Sequence, residues 1–177
     1  DFGERGFSDT TQALQNLGSS YAGAGLDIDD IYEPIKLEKS NEKIAIFCAA
    51  EAQFGCLKDY DDYQKGYAWI FSHHLIRKID MYKEKGFKIV LFSHVGLEMC
   101  ELPLPEWRFY LKIFLEQKVD LIVNTHPHVL QGIETIEQKM VNHSIGLLYP
   151  SDAADDLLLL DPGGRRLIKK KTQDIQQ

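Results

Sequence analysis

An α/β fold organised around a parallel strand–helix–strand unit is what this sequence predicts, and three observations predict it. Apolar runs of strand length recur at 43–49, 88–92 and 119–123. Between them lie residues at helical spacing: Tyr67, Phe71, Leu75, Ile79 and Tyr82 in one stretch, Leu104, Trp107, Leu111, Phe114 and Leu115 in the other. The last two runs end in polar turns that carry histidine, Ser93-His94 and Asn124-Thr125-His126-Pro127-His128. Strand, helix and strand in that order make a right-handed parallel crossover, which sets both histidine-bearing ends side by side at one edge of a sheet.

The elements follow in order. Gly3 and Gly6 bracket an opening turn, Ser8 or Asp9 is placed to cap a helix, and Phe7, Thr10, Leu14 and Leu17 form its stripe. The Gly23-Ala24-Gly25 stretch has no preceding strand and no Gly or Lys to complete a phosphate loop, so it reads as a tight, small-residue entry to a loop. The run 43–49 is a buried strand with Cys48 as a small core residue. Glu51 directly follows it, a carboxylate that must be solvated, paired or metal-bound. A loop from Phe54-Gly55-Cys56 carries Asp59, Asp61 and Asp62, which lack calcium-loop spacing and read as solvated surface.

The next helix is expected over 67–82. Its adjacent His73 and His74 point about 100 degrees apart and belong to its surface and boundary rather than to one ion. After the strand 88–92 a second helix starts at Pro103 or Pro105 and leads to 119–123. Pro127 biases His126 towards an extended backbone, in which residues two apart project to one side. His126 and His128 can then face the same place. From the residues alone such a pair is either a divalent metal site or a polar turn that meets water; His94 at the neighbouring strand end favours the metal.

Composition bounds the function. The 177 residues have room for one domain and one sizeable core. The net charge is −7, and in the last 27 residues Asp152, Asp155, Asp156, Asp161 and Asp174 cancel Arg165, Arg166, Lys169, Lys170 and Lys171. The negative excess therefore sits in the body, which argues against nucleic acid as a partner. Cys48, Cys56 and Cys100 show no metal-type spacing. No run is long enough to cross a bilayer. The chain opens on Asp1-Phe2-Gly3 without Met, so the expectation is an N-terminally truncated fragment whose only link to a membrane would be a missing upstream anchor.

The run Ser93-His94-Val95-Gly96-Leu97-Glu98, then Leu102-Pro103-Leu104-Pro105, then 119–134 with its His126-Pro127-His128-Val129-Leu130-Gln131 core resembles the CapA family of capsule or poly-γ-glutamate synthesis proteins, relatives of the calcineurin-like metallophosphatases. Asp1-Phe2-Gly3 with Thr10 and Leu14, Gly23-Ala24-Gly25, and Glu51 with Phe54-Gly55 are similar as well. The resemblance runs to about residue 146, setting a domain at 1–149. Leu147 and Leu148 stand where the family's Asn and Phe would be expected, and residues 150–177 beyond them are expected to be a foreign or disordered tail.

What the resemblance implies is a partial metallophosphatase-like β-sandwich of mixed sheets flanked by helices. His94, His126 and His128 would be metal ligands, and Glu51 and Glu98 catalytic groups behind them or on the substrate side. Asp1 would border the family's asparagine–histidine loop. It implies two divalent ions (Mn, Fe or Zn) about 4 Å apart that activate water and neutralise phosphoryl charge. The implied function is metal-dependent hydrolysis of phosphoester or related bonds in capsule synthesis at the extracytoplasmic face of the cell envelope. Partners would be an anionic polymer or phosphorylated small substrate and other capsule-synthesis proteins. The alternative is a non-catalytic envelope component that binds or exports the polymer.

Overall fold

The computed structural model describes residues 3–52 and 66–146. Helix α1 (Gly3–Asn16) leads to the short strand β1 (Ala24–Gly25), the single turn α2 (Ile28–Ile31) and the hairpin of β2 (Ile35–Lys39) and β3 (Glu42–Ala50). After β4 (Gly66–Tyr67) come α3 (His73–Glu84), β5 (Lys88–His94), α4 (Pro105–Gln117) and β6 (Leu121–Asn124). The hairpin of β7 (Ile133–Ile136) and β8 (Lys139–Asn142) follows. Asp1, Phe54, Gly55, Cys56, Asp59, Asp61, Asp62 and the expected tail at 150–177 lie outside the described residues.

The α/β class read from the sequence is the class the chain adopts: a mixed sheet of order β2-β3-β5-β6-β8-β7 with flanking helices. The four inner strands β3, β5, β6 and β8 are parallel, while β2 and β7 pair antiparallel at the edges. A second sheet is the short antiparallel pair β1–β4.

The crossovers β3-α3-β5 and β5-α4-β6 step the same way across the sheet, so their common right hand sets both helices on one face. Ala45, Phe47, Ile89, Leu91, Ile122 and Val141 of the sheet are buried there with Leu75 and Ile79 of α3 and Leu111 and Leu115 of α4. The alternate positions Ile44, Ile46, Cys48, Val90, Leu121 and Val123 are only half-buried, and Phe92 is exposed. Cys48 thus stands on the less covered face and not in the core as expected. Asp120 starts β6 by accepting the Ile89 N–H through Oδ2 at 2.7 Å, which locks β6 against β5 at one end.

Two local expectations change. Helix α1 runs from Gly3, so Ser8 and Asp9 lie inside it and cap nothing. Two glycines in the first turns cost about 1 kcal/mol each relative to alanine but do not stop a helix. Leu17 falls beyond the helix end and is exposed. The helix expected over 67–82 is α3 and begins at His73, not Tyr67, because Ser72 accepts the His74 N–H at 3.2 Å as its cap. Ahead of it the chain is extended, held by Ala68 N–H on Gly23 O (2.8 Å), Ala50 N–H on Ala68 O (2.9 Å) and Ile70 N–H on Ala50 O (2.9 Å). Pairing with the end of β3 outcompetes the helical pattern of Tyr67 and Phe71. His73 and His74 are boundary residues as expected, His74 stacking on Tyr32.

In the β7–β8 turn Glu137 (φ 49°) and Gln138 (φ 67°) take the left-handed pair that a two-residue hairpin requires, without the glycine that would announce it. By contrast Gly23 and Gly25 do what their tight spacing suggested. A Cβ on Gly23 would lie 2.6 Å from Cys48 O, and one on Gly25 2.6 Å from Ile31 N.

Glu33 ties α2 to α3 and β2. Tyr82 Oη donates to it, as do Lys36 Nζ (3.0 Å) and Lys78 Nζ (3.1 Å). Burial alone would raise the carboxyl pKa, but these donors outweigh it and hold it at about 2, against an ordinary 4.5. A folded pKa below the unfolded one gives stability that is whole above the unfolded value and fades as pH falls towards the folded one. Glu33→Gln is therefore expected to cost about 1 kcal/mol at pH 7, allowing for solvent screening. Urea unfolding at stepped pH checks it: the gap from wild type should close between about pH 4.5 and pH 2.

Candidate metal centre

The parallel register delivers the site. Ala50 is level with His94 and Ser93 with Asn124, so Glu51, His94, Thr125 and His126 all lie along one edge. His94 ends β5; His126 and His128 follow β6 by two and four residues. The three rings converge, with centroids 4.7 Å apart for 94–126, 5.4 Å for 126–128 and 6.2 Å for 94–128. One nitrogen from each lies within 4.8 Å of the others. The route differs from the expected one. His128 has φ 61°, so a turn with a left-handed residue, and not strand alternation, brings it back beside His126.

Each outer histidine has a partner that sets its tautomer. Thr125 Oγ1 donates to Ser93 O (3.3 Å), so its contact with His94 Nδ1 at 2.9 Å takes the ring's proton. That leaves the His94 Nε2 lone pair pointing inward, 3.1 Å from His126 Nδ1. Glu98 accepts from His128 Nδ1 at 2.9 Å, which leaves Nε2 of His128 as the donor to an ion. Burial, then His126 and His128, push the His94 imidazole below its ordinary pKa. Burial and His128 do the same for His126, with Glu98 opposing. Neutral imidazoles are what a divalent ion needs.

The donor set therefore fits one divalent cation. The two facing nitrogens of His94 and His126 can share a proton or both turn to a cation. Among the described residues the histidine triad is the group that converges in this way, and it supplies donors for one ion. Glu98 is brought to the triad. Glu51 accepts the Gly96 N–H at 2.9 Å, bracing the loop after β5, while its own N–H donates to His94 O at 3.2 Å. A groove of about 310 Å³ opens beside His94 and Thr125, walled by Gly23, Cys48, Ala50, Ala68 and Phe92.

The residue that holds the two turns together was missed in the sequence. Asn124 is 3% exposed and uses all four of its hydrogen-bonding positions. Its Oδ1 accepts from Ser93 Oγ (3.0 Å) and Val95 N–H (3.1 Å). Its Nδ2 donates to Val95 O (2.9 Å) and His143 O (2.8 Å). An Asn at a strand end reads as a loop signal, so nothing in its position marked it. The Met99 N–H completes the brace on Pro127 O at 2.9 Å.

Asn124→Ala would strand a buried hydroxyl, a buried N–H and two carbonyls. It is expected to cost about 3 kcal/mol in chemical unfolding. Asn124→Asp should cost more, because a buried carboxylate cannot donate to Val95 O and His143 O.

Comparison with known proteins is consistent with this geometry. Residues 1–149 match the family described as bacterial capsule synthesis protein PGA_cap. The chain is 26% identical over 151 residues to the capsule biosynthesis protein CapA of Bacillus anthracis, covering 82% of this chain and 36% of that protein. It is 25% identical over 150 residues to the PGA biosynthesis protein CapA of Bacillus subtilis (strain 168), covering 82% of this chain and 38% of that one. The chain thus spans little more than a third of the length of these curated relatives. With every strand of its sheet and the whole histidine turn inside the matched region, the chain belongs to the bacterial capsule synthesis family PGA_cap.

Proposed function

We propose that this chain carries the metal-binding edge of a divalent-metal-dependent hydrolase or transferase serving capsule or poly-γ-glutamate biosynthesis. The reading rests on the convergence of His94, His126 and His128, with two of the rings oriented by Thr125 and Glu98. The relatives' printed names supply the biological setting. An ion held there (Mn, Fe or Zn) would supply Lewis-acid polarisation of a phosphoryl or carbonyl oxygen. The second ion expected for such a centre would need donors beyond the triad. The remaining work belongs to the chain: Thr125 keeps His94 in its inward-donating tautomer, Glu98 does the same for His128, and Glu51 fixes Gly96 so that Glu98 stays in reach. The substrate would be a phosphorylated molecule or an anionic polymer, met outside the cytoplasmic membrane together with other capsule-synthesis proteins. No described helix is long and apolar enough to cross a membrane.

One observation favours the second reading, a non-catalytic polymer-binding component. Among the described residues no carboxylate joins the three imidazoles as a metal ligand. Metal content and phosphodiesterase activity separate the two. The enzyme reading expects bound divalent metal and hydrolysis, both lost in His126→Ala. Retained polymer binding in that variant, with no hydrolysis by the wild type, would establish the binding role instead. Thr125→Val keeps the shape of the side chain but removes the oxygen that orients His94. It is expected to weaken metal binding roughly 10–100-fold in a chelator competition.

A further inference from the structure

Behind the histidine turn lies a second histidine system that the metal reading does not use. His143 follows β8 and is 3% exposed. Its Nε2 lies 3.2 Å from Glu134 Oε2, and Glu134 is gripped in bidentate fashion by Arg108, Nε to Oε2 at 2.8 Å and Nη2 to Oε1 at 2.9 Å. Arg108 above all holds the Glu134 carboxyl at about 2, with burial opposing and the His143 bond assisting, so it stays an acceptor across the working pH range. An acceptor-only carboxylate requires the proton on His143 Nε2.

The other ring nitrogen poses the question. His143 Nδ1 is wholly buried and has no hydrogen-bond partner among the described residues. A protonated Nδ1 would be a buried donor without an acceptor, the costlier state. A bare lone pair needs a donor. His143 also lines a cavity of about 10 Å³ together with Gly96, Asn124, Pro127 and Gln131. That is about the volume of one water-sized sphere, set between polar groups (Asn124, Gln131, His143) and apolar side chains (Leu97, Leu104, Trp107, Leu111). Asn124 has no capacity to spare, since its four positions are spent.

We propose that His143 is a positioning residue for the histidine turn: a neutral ring that gives its Nε2 proton to Glu134 and its Nδ1 lone pair to one internal water in the cavity beneath Pro127. The ring anchors its own backbone, and the His143 carbonyl is what the Asn124 amide grips at 2.8 Å. Asn124 then passes that order to Val95 through Oδ1 and to Ile145, whose N–H donates to Asn124 O at 3.1 Å. The chain Arg108–Glu134–His143–Asn124 thus ties α4 and β7 to the strand ends that carry His94 and His126. This goes beyond the metal reading and holds with or without an ion.

The test is NMR on the full chain, ¹⁵N-labelled, at neutral pH and without added metal. Long-range correlations of the His143 ring should show a protonated Nε2 and a bare Nδ1, with a water–protein NOE at the ring. A protonated Nδ1, or no water contact, overturns the proposal, and this measurement needs no variant. His143→Phe keeps the ring volume and removes both nitrogens. Exchange of the Val95 and Ile145 amides should then speed up at least tenfold, while Leu91 and Ile122 in mid-strand keep their wild-type rates. His143→Gln, which can still offer an N–H to Glu134, should recover most of that protection. Equal acceleration at all four amides, or none at Val95 and Ile145, overturns the positioning role.

Discussion

One buried amide holds this edge of the molecule together. The Asn124 side chain meets a hydroxyl, a backbone N–H and two carbonyls from three separate segments: the end of β5, the loop after it, and the turn after β8. Each contact is modest taken singly, about 1 kcal/mol net. Together they remove the alternatives, since any shift of one segment breaks a bond that cannot be replaced by water at 3% exposure. The imidazoles of His94 and His126 flank this anchor on either strand. Their 3.1 Å approach is a consequence of it more than of any attraction between two like rings.

The same edge shows how a parallel sheet divides its tasks. Towards the start of the strands, Asp120 and the alternating core residues fix register and stability. Towards the other end the buried positions turn polar, Ser93 and Asn124 taking the places that Ile89, Leu91 and Ile122 hold further down. Polar side chains there are tolerable because each meets a partner. They convert the last rung of the sheet into a rigid frame on which three histidines are mounted.

Much of this was legible in the sequence, and the illegible parts share a cause. The strands at 43–49, 88–92 and 119–123 and the stripe of α4 announced themselves because one-sided burial imposes a period on local sequence. The three metal-binding candidates followed from the crossover rule, which needs only the order of elements. The start of α3 did not, because residues 66–70 are set by Gly23 and Ala50, partners far away in the chain. Asn124 and Thr125 passed for the polar end of a strand, since composition cannot say that a polar group is buried. His128 reaches the other two rings by a different geometric route from the expected one, and the Gly96 N–H that Glu51 holds is a contact to the backbone that no residue pattern marks.

The placement of α3 and α4 on one face of the sheet has an electrical consequence at the imidazoles. On one flank they meet the carboxylate of Glu98 and open solvent; on the other they border a groove whose side chains are largely apolar, among them Cys48, Ala50, Ala68 and Phe92. Field lines from a charge seated between them are poorly screened by such side chains and well screened by water. A negatively charged group approaching the three rings would therefore feel an uneven medium, with the strongest pull on whichever of its atoms turns towards the alanines and away from the bulk.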